Sequence, residues 1–320
     1  MTTWSATRNY FLTYQLLQFI QSMAITTAYE SVAQLLRNAS LYPLDEPPMV
    51  RGLGVRFLAV TGQIHIERSG YAGTIILDHP ERHNAISADM WIALKNAAVE
   101  LGDDDMIRVV VIRGSGEKAF AAGADISQFS EQRQNSESND GYDDSTSEAY
   151  AALSNLRKPL IAMIHGYCIG GGLAVALSAD IRVASDDALF TIPAARLGLG
   201  YASAGLGKLV QLIGPSAAKR IMFLADRFGA DEALSMGLIN QVVPKTSLEE
   251  HVAVWTDLIS SNAPLTVTAA KASINEWLKD ERARDFEAVD KMVQACFDSA
   301  DYQEGVAAFM EKRKPRFNGR

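Results

Sequence analysis

Residues 159–179, PLIAMIHGYCIGGGLAVALSA, carry no formal charge, and an uncharged run of that length must either face lipid or be buried in protein. Its centre decides between the two. His165, Gly166 and the triplet Gly170-Gly171-Gly172 divide it into a short β-like stretch, a turn and a helix of small residues, which reads as a buried strand-turn-helix and not as a bilayer span. A unit of that kind needs a substantial core around it. With 320 residues, 48% of them hydrophobic, the chain has enough apolar material for one large domain or two small ones.

The charge balance limits the partners. Thirty Lys and Arg against 38 Asp and Glu leave a net charge of -8, which provides no global basic field for nucleic acid or anionic lipid. A polyanionic ligand must therefore be met locally. Two cysteines, Cys168 and Cys296, are too few for a disulfide framework or a thiolate metal site and suit a reducing compartment. His65, His79, His83, His165 and His251 share no helix face at metal-ligand spacing, so no metal centre is expected.

Three regions follow from the patterning. Residues 1–60 contain apolar residues at helical spacing over 15–37, then the proline-rich break LYPLDEPP, and read as a helical extension with a linker. The segment is acid-poor but has little Arg and no basic n-region, so it matches neither a transit nor a secretory peptide well. The expected location is cytoplasmic, or the mitochondrial matrix if this segment does act in transit. Residues 61–262 form the core. IHIERSG and YAGTIILD alternate as hairpin strands, residues 90–101 form an amphipathic helix, and IRVVVIRGSG is a buried strand ending on a glycine turn. PLIAMIHG, GGGLAVALSA, DIRVAS and ALFTIP repeat the alternation of strands and helix, which defines an α/β class. Residues 263–320 read as almost entirely helical. Residues 128–148, polar and strongly acidic, read as a solvated loop or mobile lid.

Two glycine-bearing corners stand out as chemistry. In KAFAAGADISQF an apolar strand runs into small residues and Gly123, which lets the amides near Ala124 approach a ligand without side-chain hindrance. In IHGYCIGGGL three glycines directly precede a helix, whose N-terminal N–H groups attract negative charge. If the Ala124 and Gly171 amides converge, they form an oxyanion hole able to stabilise the enolate of a thioester. Taken singly, each run is an ordinary tight turn, and neither fits a dinucleotide or phosphate-loop spacing.

Taken together, over residues 64–317, the segments LDHPERHNAIS, AFAAGADIS, HGYCIGGGL, SADIRVAS, GADEALSMGLINQVVP and SADYQEGVAAFMEKRKPRF resemble the enoyl-CoA hydratase/isomerase (crotonase) superfamily. The resemblance implies a spiral of ββα units with two perpendicular sheets, and a C-terminal helical region that forms a homotrimer or a dimer of trimers. It further implies an acyl-CoA substrate with no separate cofactor, and it makes Ala124 and Gly171 the oxyanion donors. Arg82, Asn84, Ala85, Lys118 and Ala122 are then candidates for binding CoA, with Phe309 and Lys312 reaching a neighbour's ligand. For each of these bases a solvated surface charge is the competing reading.

The chain departs from a hydratase where chemistry is concentrated. Hydratases of the superfamily activate water with two glutamates, and this sequence has Ala174 and Ala194 in their places. The segment LGLGY ending at Tyr201 resembles instead the methylmalonyl-CoA decarboxylase branch, in which a tyrosine orients a malonyl-type carboxylate. That branch commonly has a histidine at the first oxyanion position, where this chain has Ala124. Decarboxylation needs no general base, because loss of carbon dioxide itself generates the enolate. Tyr201 is the leading side-chain candidate, against a buried aromatic with a satisfied hydroxyl. Asp125 and Asp180 read as caps or ion-pair partners, His165 and Cys168 as core, and Ser203, Arg196, Glu131 and Glu137 as weaker candidates. Two alternatives stay open: a hydratase or isomerase with a displaced acid, and a non-catalytic acyl-CoA-binding or scaffold homologue.

Overall fold

The computed structural model describes residues 62–125, 136–201 and 203–320. The reading of residues 1–60 as a helical extension lies outside the described residues.

In chain order the first elements are β1 (Gln63–Ser69), β2 (Ala72–Asp78), α1 (Ala88–Asp103), β3 (Val109–Gly114), β4 (Ala119–Ala121) and α2 (Ser136–Ser154). They are followed by β5 (Leu160–Ile164), β6 (Tyr167–Ile169), α3 (Gly171–Leu177), β7 (Ile181–Ser185), β8 (Leu189–Thr191), α4 (Ala194–Leu197) and α5 (Ser203–Leu224). The remainder is β9 (Phe228–Gly229), α6 (Ala230–Ser235), β10 (Gln241–Val243), α7 (Leu248–Ser261), α8 (Pro264–Trp277), α9 (Phe286–Phe297) and α10 (Ala300–Met310).

The strands form two sheets, a six-stranded one in the order β1-β2-β3-β5-β7-β10 and a four-stranded one in the order β4-β6-β8-β9. Successive strands alternate between them: β3, β5 and β7 enter the large sheet, and β4, β6 and β8 follow in the small one before the chain turns into a helix. That repetition is the spiral of ββα units. In the large sheet β1 and β2 are an antiparallel hairpin, and every later pairing is parallel. Parallel strands require crossovers; the one from β2 to β3 carries α1 alone, and those from β3 to β5, β5 to β7 and β7 to β10 each carry a strand of the second sheet.

The central strands are apolar throughout because both faces are covered. Val110, Ile112, Leu160, Ala162 and Ile164 face the main core with Trp91, Phe120 and Phe190, whereas Val109, Val111, Ile161, Met163 and Val183 meet Leu248 and Val252 of α7. Arg182 interrupts this pattern on β7, at only 4% exposure. Its guanidinium donates to Leu238 O at 2.8 Å and Ala179 O at 2.6 Å, and its amide donates to Asn240 Oδ1 at 2.8 Å. Each buried donor thus has an acceptor, which is the condition for a charge at this depth.

One expectation is corrected. The acidic stretch assigned to a loop or lid is helical from Ser136 onward, in α2. Its C-terminal part has apolar residues at helical spacing, Ala149 and Leu153, and both are completely buried. That face packs against α1, and tertiary burial of an amphipathic end stabilises a helix whose polar beginning has weak intrinsic propensity. Residues 126–135 of the same stretch lie outside the described residues.

Candidate active site

The two glycine corners meet. After β4, Ala122 N donates to His83 O at 2.9 Å, and Gly123 takes a φ of +99°, a region that disfavours a Cβ. Ile86 N donates to Gly123 O at 2.8 Å, and Asp125 N donates to Ile86 O at 3.0 Å. This parallel bridge uses the groups flanking residue 124, so the N–H of Ala124 itself points the other way. No acceptor takes it among the described residues. After β6, Gly170 N donates to Thr191 O at 2.9 Å and α3 begins at Gly171. The N–H of Gly171 belongs to the first turn, where an α-helix has no internal acceptor for it.

The glycines make this approach possible. A Cβ at Gly172 would lie 2.4 Å from Ala121 O, so only glycine lets α3 pack on the end of β4. A Cβ at Gly171 would instead make only ordinary van der Waals contacts, 3.5 Å from Ala124 N. Since a Cβ lies about 2.5 Å from its own nitrogen, the two amides are at most about 6 Å apart, within range of one shared oxygen.

Around them is a cavity of about 490 Å³ that both residues line, together with Trp91, Tyr150, Ala174, Ala194, Tyr201 and Lys208. Ala174 and Ala194 make its wall apolar at both of their positions. Among the described residues no Asp or Glu lines it. Tyr201 lies against Gly205, whose Cβ position is 3.0 Å from the ring. Burial pushes its phenol above the ordinary value, so it is a neutral O–H donor.

The other sequence candidates are distributed differently. Ala122 lines the cavity; Arg82, Asn84, Ala85 and Lys118 do not. Arg82 Nη1 is bound to Asp125 at 2.7 and 3.0 Å. Asn84 is a buried staple that accepts from His79 N at 3.0 Å and donates to Ser115 O at 3.0 Å and Ala119 O at 2.8 Å. Its side chain therefore holds the turn that leads to Ile86. Ala85 is buried beside it, and Lys118 is exposed. Phe309, 82% exposed, and Lys312 lie at the end of α10, outside the cavity.

Asp180 accepts from Leu160 N at 2.7 Å and Lys271 Nζ at 2.6 Å, a structural role. His165 is buried, which lowers its pKa, and burial pushes the Cys168 thiol far up, so it supplies no thiolate. Arg196 is exposed and does not line the cavity. Glu131, and the side chains of Glu137 and Ser203, lie outside the described residues. Among the described residues no cluster of His, Cys, Asp or Glu could hold a metal ion, and no helix is long and apolar enough to cross a membrane.

Three lining residues escaped the sequence reading. Trp91 and Tyr150 meet edge to face at 5.3 Å beside Gly171, and Lys208 sits on α5 with Gly205, just after Tyr201. The spacing of 201, 205 and 208 is helical. That was the one available signal for Lys208.

Fold and site together define an α/β scaffold in which two main-chain amides face one cavity. The family model described as enoyl-CoA hydratase/isomerase matches residues 68–320. The chain belongs to that family, the crotonase superfamily. It is 32% identical over 254 residues to the crotonyl-CoA hydratase of Syntrophomonas wolfei, an alignment spanning 79% of this chain and 97% of the relative. It is 34% identical over 264 residues to the carnitinyl-CoA dehydratase of Escherichia coli K12, spanning 80% and 98%. A solved enoyl-CoA hydratase/carnithine racemase from Magnetospirillum magneticum matches with a TM-score of 0.77 at 35% identity, over 80% of this chain and 96% of the other.

Proposed function

We propose that the protein is an enzyme acting on an acyl-CoA thioester, whose carbonyl oxygen sits between the Ala124 and Gly171 amides. The reaction then passes through an enolate stabilised by those two donors. The observation that carries this reading is the pair of unused amides facing one cavity. Fixed donors in a water-poor site stabilise developing negative charge without having to reorganise. CoA itself is part of the substrate, and no further cofactor enters the scheme.

The absence of acids from the described lining favours a step that needs no base. In decarboxylation of a malonyl-type thioester, the bond from the α-carbon to the carboxylate breaks, its electron pair passes into the enolate, and carbon dioxide leaves. Ala174 and Ala194 offer the carboxylate an apolar wall, which favours its expulsion. Tyr201, as a neutral donor, orients the carboxylate or returns a proton to the α-carbon. The relatives named as hydratases and dehydratase support a second reading, addition or loss of water through an acid outside the described lining. CoA contacts at Arg82, Lys118 and the backbone of Asn84 and Ala85 belong to the same proposal, as does completion of the site by Phe309 and Lys312 of a neighbouring copy in a trimer.

Mass spectrometry of acyl-CoAs incubated with the protein tests the reading. A loss of carbon dioxide supports decarboxylation, and a gain or loss of water supports the second reading. Calorimetric binding with every mass unchanged, and with no shift of a double bond seen by absorbance or chromatography, refutes enzymatic turnover and leaves an acyl-CoA-binding homologue.

A further inference from the structure

Lys208 is the only formal charge lining the cavity among the described residues, and neither reading of the reaction uses it. Its ammonium donates to Ser154 Oγ, whose hydroxyl donates in turn to Tyr150 O at 2.7 Å. No carboxylate lies within ion-pair reach of it among the described residues. Asp180, the acid that acts on it through space, is already bound by Lys271 Nζ at 2.6 Å and by the Leu160 amide. Desolvation lowers the pKa of Lys208, and the neighbouring Lys271 charge adds to that effect, while Asp180 opposes it. A half-buried ammonium without a counter-ion is costly, because a hydroxyl neutralises none of its charge.

The position indicates what would neutralise it. Lys208 lies on α5 with Gly205, against which the ring of the preceding Tyr201 rests, and its partner Ser154 lies one helical turn, about 6 Å, beyond Tyr150 on α2. Tyr150 itself stands over Gly171, its hydroxyl 3.6 Å from that residue's Cβ position. Lys208 is therefore displaced from the oxyanion hole along the cavity wall. The rest of the lining is uncharged, with Leu177, Ile192 and Leu197 apolar, Ser178 hydroxyl-bearing and Asn155 an amide. An acyl chain entering from the thioester carbonyl meets apolar surface first and one cation beyond it.

We infer that the cavity selects an acyl group bearing a distal carboxylate, and that Lys208 is the specificity residue that holds it. This rests on the reading that the cavity takes an acyl thioester, and it is independent of which bond then breaks. A charge-assisted contact of this kind is stronger than a neutral one and most effective where water is thin. Lys208 is a binding residue in this proposal and takes no part in bond breaking.

The test is calorimetry on the full chain with glutaryl-CoA, hexanoyl-CoA and free CoA. The wild-type protein is expected to bind glutaryl-CoA at least about tenfold more tightly than hexanoyl-CoA, equivalent to about 1.4 kcal/mol. Lys208→Met brings that ratio close to one, and Lys208→Arg keeps a preference for the carboxylate. Lys208→Gln serves as the neutral replacement if the Met variant does not fold. A wild-type protein without the preference overturns the inference, as does a neutral variant that retains it. It is equally overturned if the neutral variants weaken free CoA as much as glutaryl-CoA, since Lys208 then holds a CoA phosphate. Failure of the wild type to bind either thioester refutes instead the acyl-CoA reading on which the inference stands.

Discussion

Gly171→Ala isolates the oxyanion hole from the fold. The added Cβ meets Ala124 N at 3.5 Å, Trp91 Cζ2 at 3.5 Å and Tyr150 Oη at 3.6 Å, all ordinary van der Waals separations that no neighbour must move to accommodate. Gly171 does not adopt a positive φ, so alanine suits its backbone and reduces the freedom of the unfolded chain, a gain of about 0.4–1 kcal/mol at compatible sites. The methyl group occupies the space in front of the Ala124 amide, where the proposed function places the thioester oxygen. Losing one oxyanion donor costs about 10²–10³-fold in kcat, or about 2.7–4 kcal/mol, and excluding the oxygen from both costs at least that. The neighbouring substitution Gly172→Ala is the control for steric damage. Its Cβ falls 2.4 Å from Ala121 O and 2.7 Å from Ala121 Cβ, an overpacking that costs about 1–3 kcal/mol. Thermal denaturation, with turnover of the acyl-CoA consumed in the mass-spectrometric screen, separates the two. Gly171→Ala is expected to melt at or above the wild-type temperature with turnover reduced at least about 10²-fold, whereas Gly172→Ala melts lower. Wild-type turnover in a folded Gly171→Ala protein would refute the oxyanion assignment.

Tyr201→Phe removes the hydroxyl and keeps the ring against Gly205, so turnover is expected to fall about 10²-fold with an unchanged melting temperature; unchanged turnover would leave Tyr201 a packing residue. Because burial raises its pKa above that of a free phenol, wild-type activity should show no alkaline loss from this group where a free phenol is still protonated, read from the pH dependence of kcat. Arg182→Ala leaves the Leu238 and Ala179 carbonyls without their donor in the core and is expected to destabilise the chain by about 3 kcal/mol or more in urea unfolding. At the C-terminus, Arg313 holds the Glu304 carboxylate at 2.6 Å and depresses its pKa from 4.5 to about 2. A depressed carboxylate stabilises the fold above its unfolded value and loses that contribution as pH falls from about 4.5 toward 2. Glu304→Gln should therefore flatten the melting temperature across that window, and an unaltered pH profile would show that the pair contributes nothing measurable.

Much of the fold is legible in local chemistry. The hairpin over residues 63–78, the helix after Ser87 and the all-apolar strand at 160–164 follow from periodicity, since each signal is written within a few consecutive residues. Helix α2 was misread because its polar beginning gave no local reason to be ordered, and its stability comes from burying Ala149 and Leu153 against another element. The alternation of successive strands between two sheets was likewise implied only by family resemblance.

The site divides along the same line. Gly123, Gly170 and Gly172 mark places where a backbone can be bared, because glycine alone tolerates the conformation of the first two and the contacts of the third, and that property is visible in the chain itself. Convergence of the Ala124 and Gly171 amides depends on strands β4 and β6 being neighbours in the small sheet, a pairing between distant segments that no local pattern encodes. Lys208 belongs wholly to this second kind: as a residue it is an ordinary helix lysine, and only the tertiary approach of its position on α5 to Ser154 on α2 leaves its charge in a cavity with a serine hydroxyl and no counter-ion among the described residues.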